Sequence, residues 1–221
     1  MATQVAITLY LAQLMNLSRP YTILGRSVDA DVLRVLAGTA DAMTGRQVER
    51  LVGRGSHRTV QLTLARLAAE GLLDVREYGA SKLYTFNHEH LAAEPVLALL
   101  GIRGRLLERL RAEFEQWRPE PAHVSLFGSA ARGDGDEDSD VDLLLVRSDA
   151  VDAEDERWRT QVERLRHSVA RWTGNRAAIS ELSEADVRAM LTDEPPILVE
   201  LLADAVGLAG RDLSTYVRSL T

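Results

Sequence analysis

Residues 123–146 read HVSLFGSAARGDGDEDSDVDLLLV, and this stretch decides the fold of the C-terminal half of the chain. His123–Phe127 has the composition of a short β-strand and is followed at once by a glycine and a serine. After an acidic loop, Ser139–Val146 predicts a second strand, in which alternation places Asp140 and Asp142 on one face. Two carboxylates on one face repel each other unless a cation lies between them. The pattern therefore predicts a divalent metal site.

Gly128 and Ser129, directly after the first strand, provide a complementary feature. A glycine lets the backbone approach a phosphate closely, and a serine at the start of a short helix adds a hydroxyl and free N–H groups. A phosphate-binding turn followed shortly by metal-binding carboxylates predicts a site for a nucleoside triphosphate with its Mg²⁺.

The combination Phe-Gly-Ser, an acidic spacer and Asp-Val-Asp before aliphatic residues resembles the signature of the DNA polymerase β-type nucleotidyltransferase superfamily. It is similar above all to the minimal, stand-alone prokaryotic members. The resemblance implies transfer of a nucleoside monophosphate, with Mg²⁺ or Mn²⁺ as cofactor, to a hydroxyl on a macromolecule such as a protein or an RNA. It implies catalytic and metal-binding roles for Asp140 and Asp142. The residues that it implies in nucleotide binding are Gly128, Ser129, Arg132 and Ser139.

One position departs from the family pattern. Active members carry a third acidic residue on the strand after the long helix, and in this sequence Ala178 occupies the expected place. Glu181 is the substitute catalytic candidate, although alternation puts it on the opposite face unless the strand ends or bulges first. Two functions stay open: an active transferase, which we prefer, and a DNA-binding regulator or antitoxin whose nucleotidyltransferase domain is catalytically degenerate.

The remainder of the C-terminal region has the pattern of a small mixed α/β sheet. The predicted elements after residue 147 are a helix over 154–172, a strand over 176–181, a helix from 183, a helix over 197–202 and a strand over 205–210.

Three amphipathic helices are predicted between residues 28 and 71, followed by a hairpin. The second helix starts with the capping box Thr44-Gly-Arg-Gln47, and Ser56 is a suitable N-cap for the third. Two short alternating runs, 72–76 and 82–86, flank Gly79-Ala-Ser81 and predict a β-hairpin. The succession resembles the winged helix-turn-helix repressors, which place the third helix in the major groove of double-stranded DNA.

The charges of this region agree with that resemblance. Residues 50–69 contain four arginines and a histidine but no carboxylate. The predicted DNA-binding residues are Arg54, Ser56, His57, Arg58, Gln61, Thr63, Arg66, Arg76 and Lys82. A solvated arginine face on a protein-binding winged helix is the alternative.

The sequence thus predicts an α+β protein in four parts: an N-terminal arm (1–27), a winged helix (28–88), a helical connector (89–118) and a nucleotidyltransferase-like domain (119–221). The apolar stripe of the connector fits either a homodimer or packing on the neighbouring domains, and both interpretations stay open.

Composition limits the other classes of function. There is no cysteine, which excludes disulfides, thiolate zinc sites and cysteine nucleophiles. Residues 1–95 carry ten basic and nine acidic side chains, whereas residues 96–221 carry sixteen and twenty-four, so the two halves are expected to have different partners. The apolar run 5–17 is too short to span a bilayer and has no preceding basic residue. We therefore expect a cytoplasmic protein without a membrane role.

Overall fold

The computed structural model describes residues 28–132, 140–193, 204–212 and 215. The predicted arm 1–27, the loop that contains Ser139 and the predicted helix 197–202 lie outside these residues. The described chain is a mixed α+β protein with two separate sheets, as predicted. It forms two compact units that divide between Arg103 and Gly104. No helix within the described ranges is long and apolar enough to cross a membrane.

The N-terminal unit contains helices and an antiparallel sheet of three strands in the order β1-β3-β2. Its elements are α1 (Asp29–Ala37), β1 (Met43–Thr44), α2 (Gly45–Val52), α3 (His57–Ala69), β2 (Leu73–Tyr78), β3 (Ser81–Phe86) and α4 (Ala93–Leu100). The three predicted helices and the predicted hairpin are therefore present. The two residues of β1 pair with β3 and were not predicted, because so short a strand has no alternation to detect.

Capping groups fix where two of these helices begin. The predicted capping box is present at α2, where the Gln47 backbone N–H donates to Thr44 Oγ1 over 3.3 Å and the Thr44 backbone N–H donates to Gln47 Oε1 over 2.8 Å. At α3 the Thr59 backbone N–H donates to Ser56 Oγ over 3.2 Å, which confirms Ser56 as the N-cap. These bonds satisfy N–H groups that have no partner within the helix.

The core of the N-terminal unit is built from the apolar stripes of its helices and one face of the hairpin. Completely buried members are Val32, Leu36, Val48, Val60 and Leu64. The buried residues of α3 follow a spacing of three and four, so this helix presents its other face to solvent.

The C-terminal unit is built on a four-stranded sheet in the order β6-β5-β4-β7. The chain enters it through α5 (Ile102–Glu115), and the elements that follow are β4 (His123–Phe127), α6 (Gly128–Arg132), β5 (Val141–Arg147), α7 (Glu156–Thr173), β6 (Ala177–Ser183), α8 (Glu184–Asp193) and β7 (Val206–Gly210). β4 is antiparallel to β5 and β7, whereas β5 and β6 are parallel and are connected by α7.

The two faces of β5 have different environments. Val141, Leu143 and Leu145 point into the main core, which also contains the buried residues of α5 and α7. Leu144 and Val146 point the other way and pack on Val187 of α8 and its neighbours. Asp140 and Asp142 share this second face by alternation, beyond the part of the strand that packs on α8.

The apolar stripe of α5 belongs to the core of the C-terminal unit. Leu106, Leu110, Phe114 and Trp117 are all buried there, and Trp117 meets Trp158 of α7 edge to face at 5.5 Å between ring centroids. For these residues the structure favours packing within the chain over the homodimer interpretation.

Candidate functional site

The turn from β4 into α6 brings the backbone against a carboxylate. Gly128 has a φ of +68°, a left-handed conformation that side chains other than glycine rarely adopt. A Cβ atom on Gly128 would lie 2.4 Å from Asp142 Oδ2 and 3.2 Å from Asp142 Cγ. The close approach follows from strand register, because Phe127 is paired with Asp142. Glycine is therefore required here both for its conformation and for its lack of a side chain.

The two aspartates predicted to bind metal lie on one face of β5. Both are half-buried, and the residues between and beyond them, Val141 and Leu143, are completely buried on the opposite face. Burial raises the pKa of the Asp142 carboxyl, and the negative charge of Asp140 raises it further, whereas the positive charge of Arg132 lowers it. The net shift is upward. The fold therefore holds Asp142 in a place where its negative charge is unfavourable unless a cation is added.

The predicted nucleotide-binding residues of α6 lie next to this pair. Ser129 is half-buried and directly follows Gly128, and Arg132 at the end of the helix is exposed. The Arg132 guanidinium lies 3.5 Å from Asp204 Oδ2, measured from Nη1. Ser139, the fourth predicted member, lies outside the described residues.

The neighbouring strand β6 shows what lies beside the aspartates. Ala178 is the register partner of Asp142, so the position without the expected carboxylate is directly beside the pair. Glu181 does not join it, because β6 continues through Ser183 and Glu181 points to the other face. There Glu181 Oε1 accepts a hydrogen bond from Trp158 Nε1 over 3.0 Å and lies 4.0 Å from Arg147 Nε. Its contacts are those of a residue that supports α7, so the structure does not bring the predicted catalytic glutamate to the aspartates.

The donor set at this site fits a magnesium ion that arrives with a nucleotide. Among the described residues there is no cluster of three or more metal-binding side chains. Mg²⁺ is commonly held by only one or two carboxylates, together with substrate phosphates and water. Asp140 and Asp142 can provide those carboxylates, and the missing side chain of Gly128 leaves the space that a phosphate needs.

Three of the predicted DNA-binding residues are instead held by carboxylates of the N-terminal unit. Arg54 forms an ion pair with Asp31, which is completely buried. The Thr63 hydroxyl is buried and donates to Asp29 Oδ1 over 3.0 Å. Arg66 lies 2.8 Å from Asp29 Oδ1. The stretch 50–69 has no acid of its own in sequence, but α1 supplies acids to it in space.

Three further predicted residues also have local partners. Arg66 donates to Glu70 of its own helix over 2.8 Å, and the bonds to Glu70 and Asp29 raise the pKa of this arginine. His57 Nδ1 lies 2.6 Å from Glu49 Oε2. Ser56 is committed as the cap of α3. The local charge near α3 is therefore lower than the sequence count indicates.

The rest of the predicted set includes exposed basic residues. Arg58, Arg76 and Lys82 are all exposed. A cleft of about 620 Å³ opens between the starts of α2 and α3 and the turn of the hairpin. It is lined by Thr44, Gly45, Arg46, His57, Gln61, Ala80, Ser81, Lys82 and Tyr84. In this part of the chain no carboxylate lines the cleft.

Arg46 and Leu62 are surface residues that sequence reasoning missed. Arg46 lines the cleft from the first turn of α2, where its exposed position followed from the capping box. Leu62 is 60% exposed on α3, whereas Thr63 is buried. The spacing from Val60 contained that signal, because position i+3 shares the buried face of a helix.

The C-terminal geometry agrees with the comparison to protein families. Residues 106–173, which run from α5 through the aspartate pair to the end of α7, match the family model for a nucleotidyltransferase domain. No curated protein matches the chain.

Two solved structures resemble about half of the chain. One is a crystal structure of a toxin-antitoxin with AMP-PNP, with 17% identity, coverage of 53% of this chain and 82% of that chain, and a TM-score of 0.35. The other is a protein from Sulfolobus solfataricus assigned as a nucleotidyltransferase, with 22% identity, coverage of 51% and 86%, and a TM-score of 0.31.

Proposed function

We propose that the C-terminal unit binds a nucleoside triphosphate together with Mg²⁺ or Mn²⁺ and transfers its nucleoside monophosphate to a hydroxyl of a protein or an RNA. The observation that carries the proposal is the approach of the Gly128 backbone to the Asp142 carboxylate. It joins a turn open to a phosphate with a pair of like charges that needs a cation. The match of residues 106–173 to the nucleotidyltransferase domain supports the same reading.

The side chains divide the work as follows. Asp140 and Asp142 would hold the divalent cation, which supplies positive charge to the triphosphate oxygens. Gly128 leaves room for the β- and γ-phosphates, and Ser129 offers its hydroxyl and backbone N–H to them. The acceptor oxygen forms a bond to the α-phosphorus, the bond from that phosphorus to the bridging oxygen breaks, and pyrophosphate leaves. The acceptor proton passes to water, because Ala178 offers no carboxylate at the neighbouring position.

The test uses the wild type and the variant Asp140→Ala/Asp142→Ala. Each is incubated with α-labelled nucleoside triphosphates, Mg²⁺ or Mn²⁺ and host lysate, and a gel then separates labelled protein from labelled RNA. Label that depends on both aspartates identifies a transferase and its acceptor class. Glu163→Gln, which changes an exposed acid on α7, is the matched control and should label like the wild type.

Ala178 provides a second test of the chemistry. The variant Ala178→Asp places a third carboxylate beside Asp142 on the same face of the sheet. A carboxylate that orients or deprotonates an acceptor typically contributes about 10²–10⁴-fold to rate. If the wild type binds nucleotide but transfers it slowly, Ala178→Asp should accelerate transfer, and Ala178→Asn should not.

The basic cleft favours a second function for the N-terminal unit. We infer that this unit binds double-stranded DNA as a winged helix, with Arg46 and Lys82 on opposite sides of the cleft contacting phosphates. If the C-terminal unit binds nucleotide without transferring it, the protein is then a DNA-binding regulator or antitoxin. The absence of a carboxylate at Ala178 favours this alternative, whereas the aspartate pair favours the transferase.

DNA binding is tested by a gel shift with the protein's own upstream sequence over a series of salt concentrations. Arg46→Ala/Lys82→Ala should bind more weakly and with a smaller dependence on salt, because each lost phosphate contact lowers the salt slope by about 0.9. Arg157→Ala, an exposed arginine on α7, is the matched control. Equal affinity of the double variant and the control would contradict DNA binding in the cleft.

A further inference from the structure

Arg132 and Asp204 form an ion pair at the edge of the aspartate site. Their side chains come from segments far apart in sequence but adjacent in the sheet. Arg132 ends α6, which directly follows β4, and Asp204 lies just before β7, which pairs with β4. The start of β7 at Val206 is the register partner of Leu126, two residues before Gly128. The sheet therefore fixes both ends of the ion pair close to the phosphate-binding turn.

This ion pair is not expected to contribute much to stability. Nη1 and Oδ2 are 3.5 Å apart, and the two side chains are 46% and 42% exposed. Exposed pairs typically contribute about 0–1 kcal/mol, because water screens them. The main consequence of the pair is therefore the position of the Arg132 guanidinium.

The guanidinium has a second set of acids within its electrostatic reach. Its positive charge acts on the Asp142 carboxylate, as the effect on the pKa of that group shows. Arginine pairs strongly with carboxylates through two parallel hydrogen bonds. An arginine that turned toward Asp142 would occupy the oxygens that a divalent cation needs.

We propose that Asp204 is a positioning residue that keeps the Arg132 guanidinium beside the aspartate pair but off its oxygens. Asp140 and Asp142 then remain available to the cation, and the guanidinium remains available to the phosphates of the nucleotide. This inference rests on the proposed function and adds a residue that the sequence motif does not contain.

The experiment measures Mn²⁺ binding to the full chain by the loss of the free-ion signal in electron paramagnetic resonance, without nucleotide. Asp204→Asn should bind Mn²⁺ about tenfold more weakly, because outer residues that orient a metal site typically change affinity 10–100-fold. The double variant Asp204→Asn/Arg132→Gln contains no guanidinium to compete and should return to the affinity of Arg132→Gln alone. Glu154→Gln removes an exposed ion pair with Arg159 and should bind like the wild type.

The outcomes separate the inference from the proposed function. Wild-type affinity in Asp204→Asn overturns the inference. A loss that the double variant does not restore also overturns it, because the defect is then structural, and thermal unfolding of each variant shows whether the fold changed. A wild type that binds no Mn²⁺ removes the proposed metal site and the inference with it.

Discussion

Carboxylates are surrounded by opposite charges in the N-terminal unit and by like charge in the C-terminal unit. Asp31 of α1 is completely buried, and Arg54 neutralises it. Asp142 of β5 is half-buried, and the charge of Asp140 and its own burial together outweigh the effect of Arg132 on its pKa. The first carboxylate has its cation within the fold, whereas the second is left with a net demand for one.

The difference separates structural from functional charge. A carboxylate that the fold pairs with arginine orients and stabilises the elements around it. A carboxylate that the fold places against another carboxylate, in a cleft next to a glycine turn, is a candidate for ligand binding, because the arrangement is unfavourable without one. The predictions below test each half of this contrast.

Removal of the structural cation should have the largest effect. Arg54→Ala leaves the negative charge of Asp31 buried without its guanidinium, and breaking such a pair typically costs about 3 kcal/mol or more. Equilibrium unfolding in urea measures the loss. Arg58→Ala, which changes an exposed arginine near the start of the same helix, should alter the free energy of unfolding by less than about 0.5 kcal/mol. Similar losses in both variants would show that Arg54 is no more structural than a surface arginine.

Closing the glycine turn should have the next largest effect. Gly128→Ala forces a side chain into a left-handed conformation and places its Cβ 2.4 Å from Asp142 Oδ2. Strain of this kind typically costs about 1–3 kcal/mol. We expect a lower free energy of unfolding and weak Mn²⁺ and nucleotide binding, measured by urea titration and by titration calorimetry.

Gly79 provides the control for that variant. It also has a positive φ, +59°, but a Cβ there would meet no atom within 4 Å. Gly79→Ala should therefore cost only the conformational part, about 1–2 kcal/mol, and leave Mn²⁺ binding unchanged. Unimpaired binding in Gly128→Ala would contradict the role of the turn.

Sequence patterns predicted the C-terminal site because its geometry is local. Alternation alone places Asp140 and Asp142 on one face, and the register of β6 puts Ala178 beside Asp142, as expected for the missing acid. The relation of Asp204 to Arg132 depends on the pairing of β7 with β4, which no local pattern specifies.

The charge of the N-terminal unit was predicted less well, for the same reason. Arg54 and Arg66 were counted as free cations because no acid lies near them in the sequence up to Ala69. Their partners Asp31 and Asp29 come from α1, which only the tertiary fold brings to α3. Counting charges within a window measures composition, whereas affinity for DNA depends on the charges that remain after folding.

That distinction predicts unequal effects within the basic set. Lys82→Ala removes an exposed cation from the cleft, so affinity for mixed-sequence DNA should fall severalfold and the salt slope should fall by about one. Arg66→Ala removes a cation that already has Asp29 and Glu70 as partners, and its effect on DNA affinity should be smaller. Fluorescence anisotropy at several KCl concentrations measures both. A larger effect for Arg66 would contradict the charge pairing as a guide to the surface.

The smallest expected effect is the titration of Asp142 in the metal-free protein. Its pKa is raised in the folded state, so the folded protein holds this proton more tightly than the unfolded chain does. Stability from this group is therefore full below the ordinary pKa of an aspartate, falls as the pH rises through the raised pKa, and stays low at neutral pH. Asp142→Asn should accordingly raise the unfolding temperature of the metal-free protein at neutral pH.

Asp140→Asn isolates the contribution of the neighbouring charge. Without the charge of Asp140 the pKa of Asp142 should move down toward its ordinary value but stay above it, because burial is the larger cause of the shift. Carbon-13 NMR of the aspartate carboxyl groups measures the midpoint in each protein. An unchanged midpoint would mean that the two carboxylates do not share a site. A lower midpoint, together with a stabilisation of the wild type by Mn²⁺ that both asparagine variants weaken, would identify the repulsion as the property that the cation relieves.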